Sequence, residues 1–130
     1  MDYSLMIRNS IKYIENNLAE KISLDDLAKR ACLSKYHYHR LFHKMVGESV
    51  NRYINKKRME NAAKELIETN QPIMEIALKN QYNSQEAFSR AFKKAYNHTP
   101  GQYRIIYAHG RRISNIQHPF NSNKITNIAA

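Results

Sequence analysis

The sequence predicts an all-α protein: two helix-turn-helix subdomains joined by a long linker helix, about seven helices in all. Three observations carry this expectation. Glycine and proline are scarce, three of each in 130 residues, so helical stretches run on without breakers. Apolar residues recur at steps of three and four, the period of one helix face. The pattern of residues 23–53 also returns at 72–103, which marks a duplicated unit.

The elements follow in order. Ile7, Ile11, Ile14 and Leu18 make the stripe of a first amphipathic helix. Ser23 is a natural N-cap for a second, with Asp25 and Asp26 in the first turn, where the helix dipole favours carboxylates. Leu24, Leu27, Ala28 and Ala31 supply its buried face. After Cys32-Leu33, Ser34 caps a third helix, apolar at Tyr38, Leu41, Phe42 and Met45 and stopped by Gly47. A long helix from about Val50 to Glu68 ends before Asn70-Gln71-Pro72.

The repeat then begins. Ile73, Ile76 and Ala77 mirror Leu24, Leu27 and Ala28 at an offset of 49. After the turn the offset is 50, pairing Ser34 with Ser84, Tyr38 with Phe88, Arg40 with Arg90, Phe42 with Phe92 and Tyr53 with Tyr103. One extra residue therefore lies in the second turn. The expected organisation is 1–50 for the first helix and first helix-turn-helix, 51–70 for the linker and 71–104 for the second helix-turn-helix. Residues 105–130 hold no acid, three basic residues and four asparagines, and read as a basic, irregular tail.

A formal net charge of +10 and a pI near 9.8 point to a polyanionic partner. Nucleic acid is favoured over a membrane, because no apolar run approaches the ~20 residues of a bilayer span. Met1-Asp2-Tyr3-Ser4-Leu5 lacks the basic start of an export signal, so the chain reads as cytoplasmic. Cys32, the only cysteine, excludes an internal disulfide and a Cys-rich metal site.

A helix-turn-helix sets its second helix in the major groove. The outward positions of that helix are Lys35, Tyr36, His37, His39, Arg40, His43 and Lys44 in the first unit. In the second they are Gln85, Glu86, Ser89, Arg90, Lys93 and Lys94. Arg40 and Arg90 occupy one repeat position, and Arg is the commonest reader of guanine O6 and N7. A linker helix of ~19 residues spans about 28 Å, near the ~34 Å between successive major-groove faces. One chain carrying two unlike heads should thus bind an asymmetric site as a monomer.

Other chemistry finds little support. His39 and His43 are one turn apart, but no carboxylate or cysteine lies nearby in sequence, so no metal is expected. No Ser/His/Asp or phosphate-loop pattern appears, so no enzyme, catalytic residue or cofactor is expected either. Tyr38, Phe42, Phe88 and Phe92 sit at core spacing. Lys56, Lys57 and Arg58 read as a solvated face able to touch phosphate. Glu86, the one acid on either face, has two readings. It accepts from cytosine N4, or, if Asn83 is the N-cap, it completes a capping box from N3.

Leu24-Asp25-Asp26-Leu27-Ala28, Ser34-Lys35-Tyr36-His37 and Leu41-Phe42 resemble the first motif of AraC/XylS-family regulators. Ile73-Met74-Glu75-Ile76-Ala77, Ser84-Gln85, Phe88-Ser89-Arg90-Ala91-Phe92-Lys93-Lys94, Thr99-Pro100 and Tyr103-Arg104 resemble the family signature over the second. Within the family the chain is most similar to the small MarA, SoxS and Rob group, and His118-Pro119-Phe120-Asn121 is similar to the end of MarA. The resemblance implies seven helices, monomeric binding to promoter DNA and activation through RNA polymerase in the bacterial nucleoid. It places base contacts on Tyr36, His39 and Arg40, and on Gln85, Glu86, Ser89 and Arg90. With Lys35 and Lys93 these form the candidate DNA-binding set. Tyr36 replaces a usual Trp, while His39 and Glu86 replace Gln. Cys32, Gln81 and Asn97 replace turn glycines. Two alternatives stand beside this reading: the DNA-binding part of a longer ligand-sensing regulator, and a basic helical module for RNA or protein.

Overall fold

The computed structural model describes residues 2–108, all of them in helices or the turns between. Seven α-helices follow one another: α1 (Tyr3–Asn16), α2 (Leu24–Arg30), α3 (Lys35–Val46), α4 (Val50–Glu68), α5 (Ile73–Lys79), α6 (Gln85–Tyr96) and α7 (Pro100–Tyr103). A π-helical turn, Arg104–Ala108, comes last. It falls where composition suggested an irregular tail; the rest of that segment, with His118-Pro119-Phe120-Asn121, lies outside the described residues. The described chain forms two compact units, one ending at Lys57 and the other starting at Arg58, so α4 contributes to both. No helix among the described residues is long and apolar enough to cross a membrane.

Each unit has its own core. In the first, Ile7 and Ile14 of α1, Leu27 and Ala28 of α2, and Tyr38, Phe42 and Val46 of α3 pack with Val50, Tyr53 and Ile54 of α4. In the second, Met59, Ala62, Ala63 and Leu66 of α4 pack with Ile76, Ala77, Phe88, Phe92, Tyr96 and Tyr103. Two sequence expectations shift. Met45 is 39% exposed, and Val46 is buried in its place, because 3.6 residues per turn carries position 46 round to the Phe42 side. Leu18 lies beyond the end of α1, yet still packs on the first core.

Side-chain oxygens start the helices except α5, which follows Pro72. Ser23, Ser34 and Ser84 each accept from a backbone N–H three residues on, at 3.0–3.1 Å. Thr99 and Gln102 form a reciprocal capping box on α7. The alternative that made Asn83 the cap of α6 is therefore overturned: Ser84 is the cap, and Glu86 sits at the second helical position, where it closes no box.

The duplication reaches into the turns. Leu33 N–H donates to Ala28 O and Cys32 N–H to Lys29 O, the paired bonds of a Schellman turn. Tyr82 to Ala77 and Gln81 to Leu78 repeat them. Cys32 (φ 58°) and Gln81 (φ 69°) take the left-handed position that glycine favours, and Asn97 (φ 66°) does so after α6 as Gly47 (φ 94°) does after α3. The glycine replacements seen in sequence thus keep the glycine conformation. Because Leu33 leads straight to Ser34 whereas Asn83 intervenes before Ser84, Asn83 is the extra residue of the second turn.

The opening helices also correspond. Ile7, Ser10, Ile11 and Ile14 stand to the first unit as Met59, Ala62, Ala63 and Leu66 stand to the second, at an offset of 52. Buried Ser10 hydrogen-bonds the Tyr38 hydroxyl across α1 and α3. In the second unit these positions are Ala62 and Phe88, so hydroxyl and partner are absent together. Other polar ties differ between the units. Glu65, nearly buried, accepts from Lys79 Nζ at 2.8 Å and from Asn80 Nδ2 at 3.3 Å, pinning α5 to α4. Arg104 closes the end of α4, donating from Nε to Leu66 O at 2.9 Å and from Nη2 to Thr69 O at 3.3 Å.

Candidate nucleic-acid interface

Burying Tyr38, Phe42 and Val46 turns the opposite face of α3 to solvent. At 100° per residue that face is the stripe Tyr36, His39, Arg40 and His43. Tyr36 is 71% exposed, an unusual degree for a tyrosine, and the Arg40 guanidinium lies 5.6 Å from its ring centroid. An arginine resting on an aromatic ring loses less freedom when it meets a base edge. His39 and His43 meet edge to face at 6.5 Å. His37 turns aside to pack on Tyr3 of α1, 5.6 Å between centroids. Lys35 sits at the flank and is not a free cation: its Nζ lies 3.2 Å from Asp25 Oδ1. That exposed pair is worth little in stability. It does tie the start of α3 to α2, and sequence reading, which saw Asp25 as a dipole partner, missed it.

In α6 the burial of Phe88, Phe92 and Tyr96 presents Glu86, Arg90 and Lys93 in the same way, with Ser89 half-buried and Gln85 at the flank. The stripes correspond position by position at the offset of 50: Tyr36 with Glu86, His39 with Ser89, Arg40 with Arg90, His43 with Lys93. Each unit therefore assembles its own share of the predicted set on one helix face. Only the arginine is common to both.

The basic run of α4 behaves differently from the solvated face its sequence suggested. Lys56 pairs with buried Glu48 at 3.2 Å, and Lys57 with Glu15 at 3.6 Å beside the Tyr53 hydroxyl, which itself donates to Glu15 at 2.9 Å. Burial lowers the Arg58 guanidinium from its ordinary pKa, with Tyr82 acting in the opposite sense. Lys57 ties α4 to α1, while Lys56 answers the acid just ahead of its own helix. Elsewhere, Arg30 stacks 3.9 Å over Tyr13 and bonds Asp26 at 3.0 Å, which raises its pKa. Among the described residues no group of three His, Cys, Asp or Glu is placed to hold a metal.

Known proteins are similar to this chain in sequence and in fold. A family model described as a helix-turn-helix domain matches residues 27–105. The HTH-type transcriptional activator AarP of Providencia stuartii is 40% identical over 102 residues, 78% of this chain and 76% of that one. The multiple antibiotic resistance protein MarA of Salmonella typhimurium is 35% identical over 107 residues, covering 82% and 84%. The uncharacterized regulator YbfP of Bacillus subtilis is 46% identical over 106 residues, but the matched part is 36% of its length. Among solved structures, the C-terminal domain of AraT, a response regulator from Geobacillus stearothermophilus, superposes with a TM-score of 0.70 at 32% identity, covering 89% and 91%. The DNA-binding domain of AdpA, crystallised with a target DNA, shares the fold with a TM-score of 0.75 at 22% identity, covering 84% and 97%. The chain belongs to the AraC/XylS family of DNA-binding helix-turn-helix transcription regulators.

Proposed function

We propose that the chain binds one non-palindromic promoter duplex of roughly 20 base pairs as a monomer, with α3 and α6 as its two reading helices. The observation that supports this best is the doubled stripe: one surface design, built twice at an offset of 50, with an arginine in common and unlike neighbours. Lys35, Tyr36, His39 and Arg40 act on one half of the site, and Gln85, Glu86, Ser89, Arg90 and Lys93 on the other, while residues 51–70 link them. Arg40 and Arg90 read guanine; Lys35 and Lys93 meet backbone phosphate. The protein works in the cytoplasm on nucleoid DNA and acts with RNA polymerase as an activator; activation is what the name of AarP gives for that relative.

The test is sedimentation with a duplex selected from random sequence, together with its salt dependence. One chain per asymmetric site is expected, and a log–log slope of about −5 or steeper if six or more phosphates are neutralised. Two chains on a palindrome would overturn monomeric binding. Equal affinity for duplex RNA at moderate salt would favour a general basic module instead.

A further inference from the structure

His39 and His43 are exposed on α3 one turn apart, their rings in mutual contact with centroids 6.5 Å apart. Imidazole nitrogens bind a first-row cation at about 2.0–2.1 Å, so two rings sharing one ion have centroids at most about 6.5 Å apart. The pair is already at that limit, and a tetrahedral angle needs the rings to close by roughly 1 Å, within reach of side-chain rotation. The C-terminal turn of a helix, where His43 sits, favours positive charge. The stripe is also cationic, with Arg40 and Lys44 beside the pair. That repels ions held by charge alone, such as Mg2+ and Ca2+, and leaves those that bond imidazole strongly.

We propose that His39 and His43 form a labile two-imidazole site for a borderline divalent cation, Ni2+, Cu2+ or Zn2+, and that its occupation competes with base reading by α3. The second half rests on the DNA-reading role of α3 proposed above. No third ligand residue is placed nearby among the described residues, so the remaining positions are filled by water and the ion exchanges freely. Competition follows from space and from nitrogen use. A helix with its side chains, 10–12 Å across, already fills a major groove about 12 Å wide, and a hydrated ion on its leading face does not fit. An imidazole nitrogen bound to the ion also has nothing to offer a base. The added charge still attracts phosphate, so the ion should remove preference and spare non-specific affinity.

The experiment titrates Zn2+ alone into the full chain and follows the histidine ring NMR signals. Of six histidines, His39 and His43 should shift together and saturate at one equivalent. His43→Gln should weaken zinc binding roughly 10²-fold, since the second ligand binds intramolecularly. His37→Gln should leave it unchanged. On duplexes varied at each base pair, zinc should flatten the preference only within the half-site read by α3, and His43→Gln should abolish that zinc response. Unmoved His39 and His43 signals, or zinc binding that survives His43→Gln, would overturn the site. Base preference identical with and without zinc at saturation would overturn the competition. Absent preference in zinc-free protein would instead count against DNA reading, with the NMR shifts still judging the site.

Discussion

The swap of Ser10 and Tyr38 in one unit for Ala62 and Phe88 in the other defines a double-mutant cycle. Ser10→Ala strands the buried Tyr38 hydroxyl, and an unsatisfied buried group costs about 1–3 kcal/mol. Alanine is the better helix former by about 0.5 kcal/mol, so a net loss of roughly 0.5–2.5 kcal/mol is expected. Tyr38→Phe strands the serine, which can turn back to a carbonyl of its own helix, so the loss should be smaller, about 0.5–1.5 kcal/mol. The double mutant removes both groups, as the second unit does, and should lie within about 0.5 kcal/mol of the parent. The coupling energy, the sum of the two single losses less the double, is then about 1–4 kcal/mol. Urea unfolding by circular dichroism, with tyrosine fluorescence as a second probe, measures all four corners. Additive losses, with the double mutant the least stable of the four, would refute the claim that the two positions act as one hydrogen-bonded unit.

The remaining predictions concern the reading faces, the turn and pH. Arg40→Ala and Arg90→Ala should each lower specific affinity by about 1–3 kcal/mol and relax preference in their own half-site; a uniform loss on specific and random duplexes would make both phosphate contacts. With the capping box gone, Glu86→Gln should tighten DNA binding generally and loosen one base position, while stability falls by no more than the ~0.3–1 kcal/mol of a charge near a helix N-terminus; unchanged affinity on every duplex would refute a role at the DNA. Cys32→Gly relieves a left-handed residue, about 1–2 kcal/mol, against about 0.4–1 kcal/mol of unfolded-chain entropy. It should therefore raise the melting temperature, while Cys32→Ala should not; equal melting of the two would assign the effect to the thiol. Burial raises the pKa of Tyr38, Tyr82, Tyr96 and Tyr103. The unfolded chain ionises first, so stability is full below pH ~10 and falls as pH rises beyond it. Tyrosinate absorbance that titrates fully near pH 10 with the helices intact would contradict this.

Much of this protein is legible along the chain because its determinants are local. Caps at Ser23 and Ser34, the stop at Gly47 and the left-handed demand on Cys32, Gln81 and Asn97 each depend on a few neighbouring residues. The exposed stripes of α3 and α6 were legible too, since burial of Tyr38 and Phe88 dictates what faces outward. What escaped was long-range pairing. Nothing local tells that Lys56 is drawn to Glu48 while Arg40 faces solvent, or that Lys35 answers to Asp25. Asn83 reads as a possible cap because Asn and Ser are nearly equal caps and the same Schellman turn precedes both helices, so nothing local shows that α6 begins one residue later, from Ser84.

Arg104 has a consequence for the order in which the protein is made. The described part of the first unit ends at Lys57. The second cannot close the end of α4 until Arg104 is available, because Leu66 and Thr69 wait for a donor 38 and 35 residues downstream. At about 5–20 residues per second the intervening stretch takes seconds to emerge, whereas small helical units fold in microseconds to milliseconds. A nascent chain therefore presents the α3 stripe, with Arg40 beside the Tyr36 ring, before the second unit can close. Translation that stops between these points leaves the α3 stripe without its α6 counterpart.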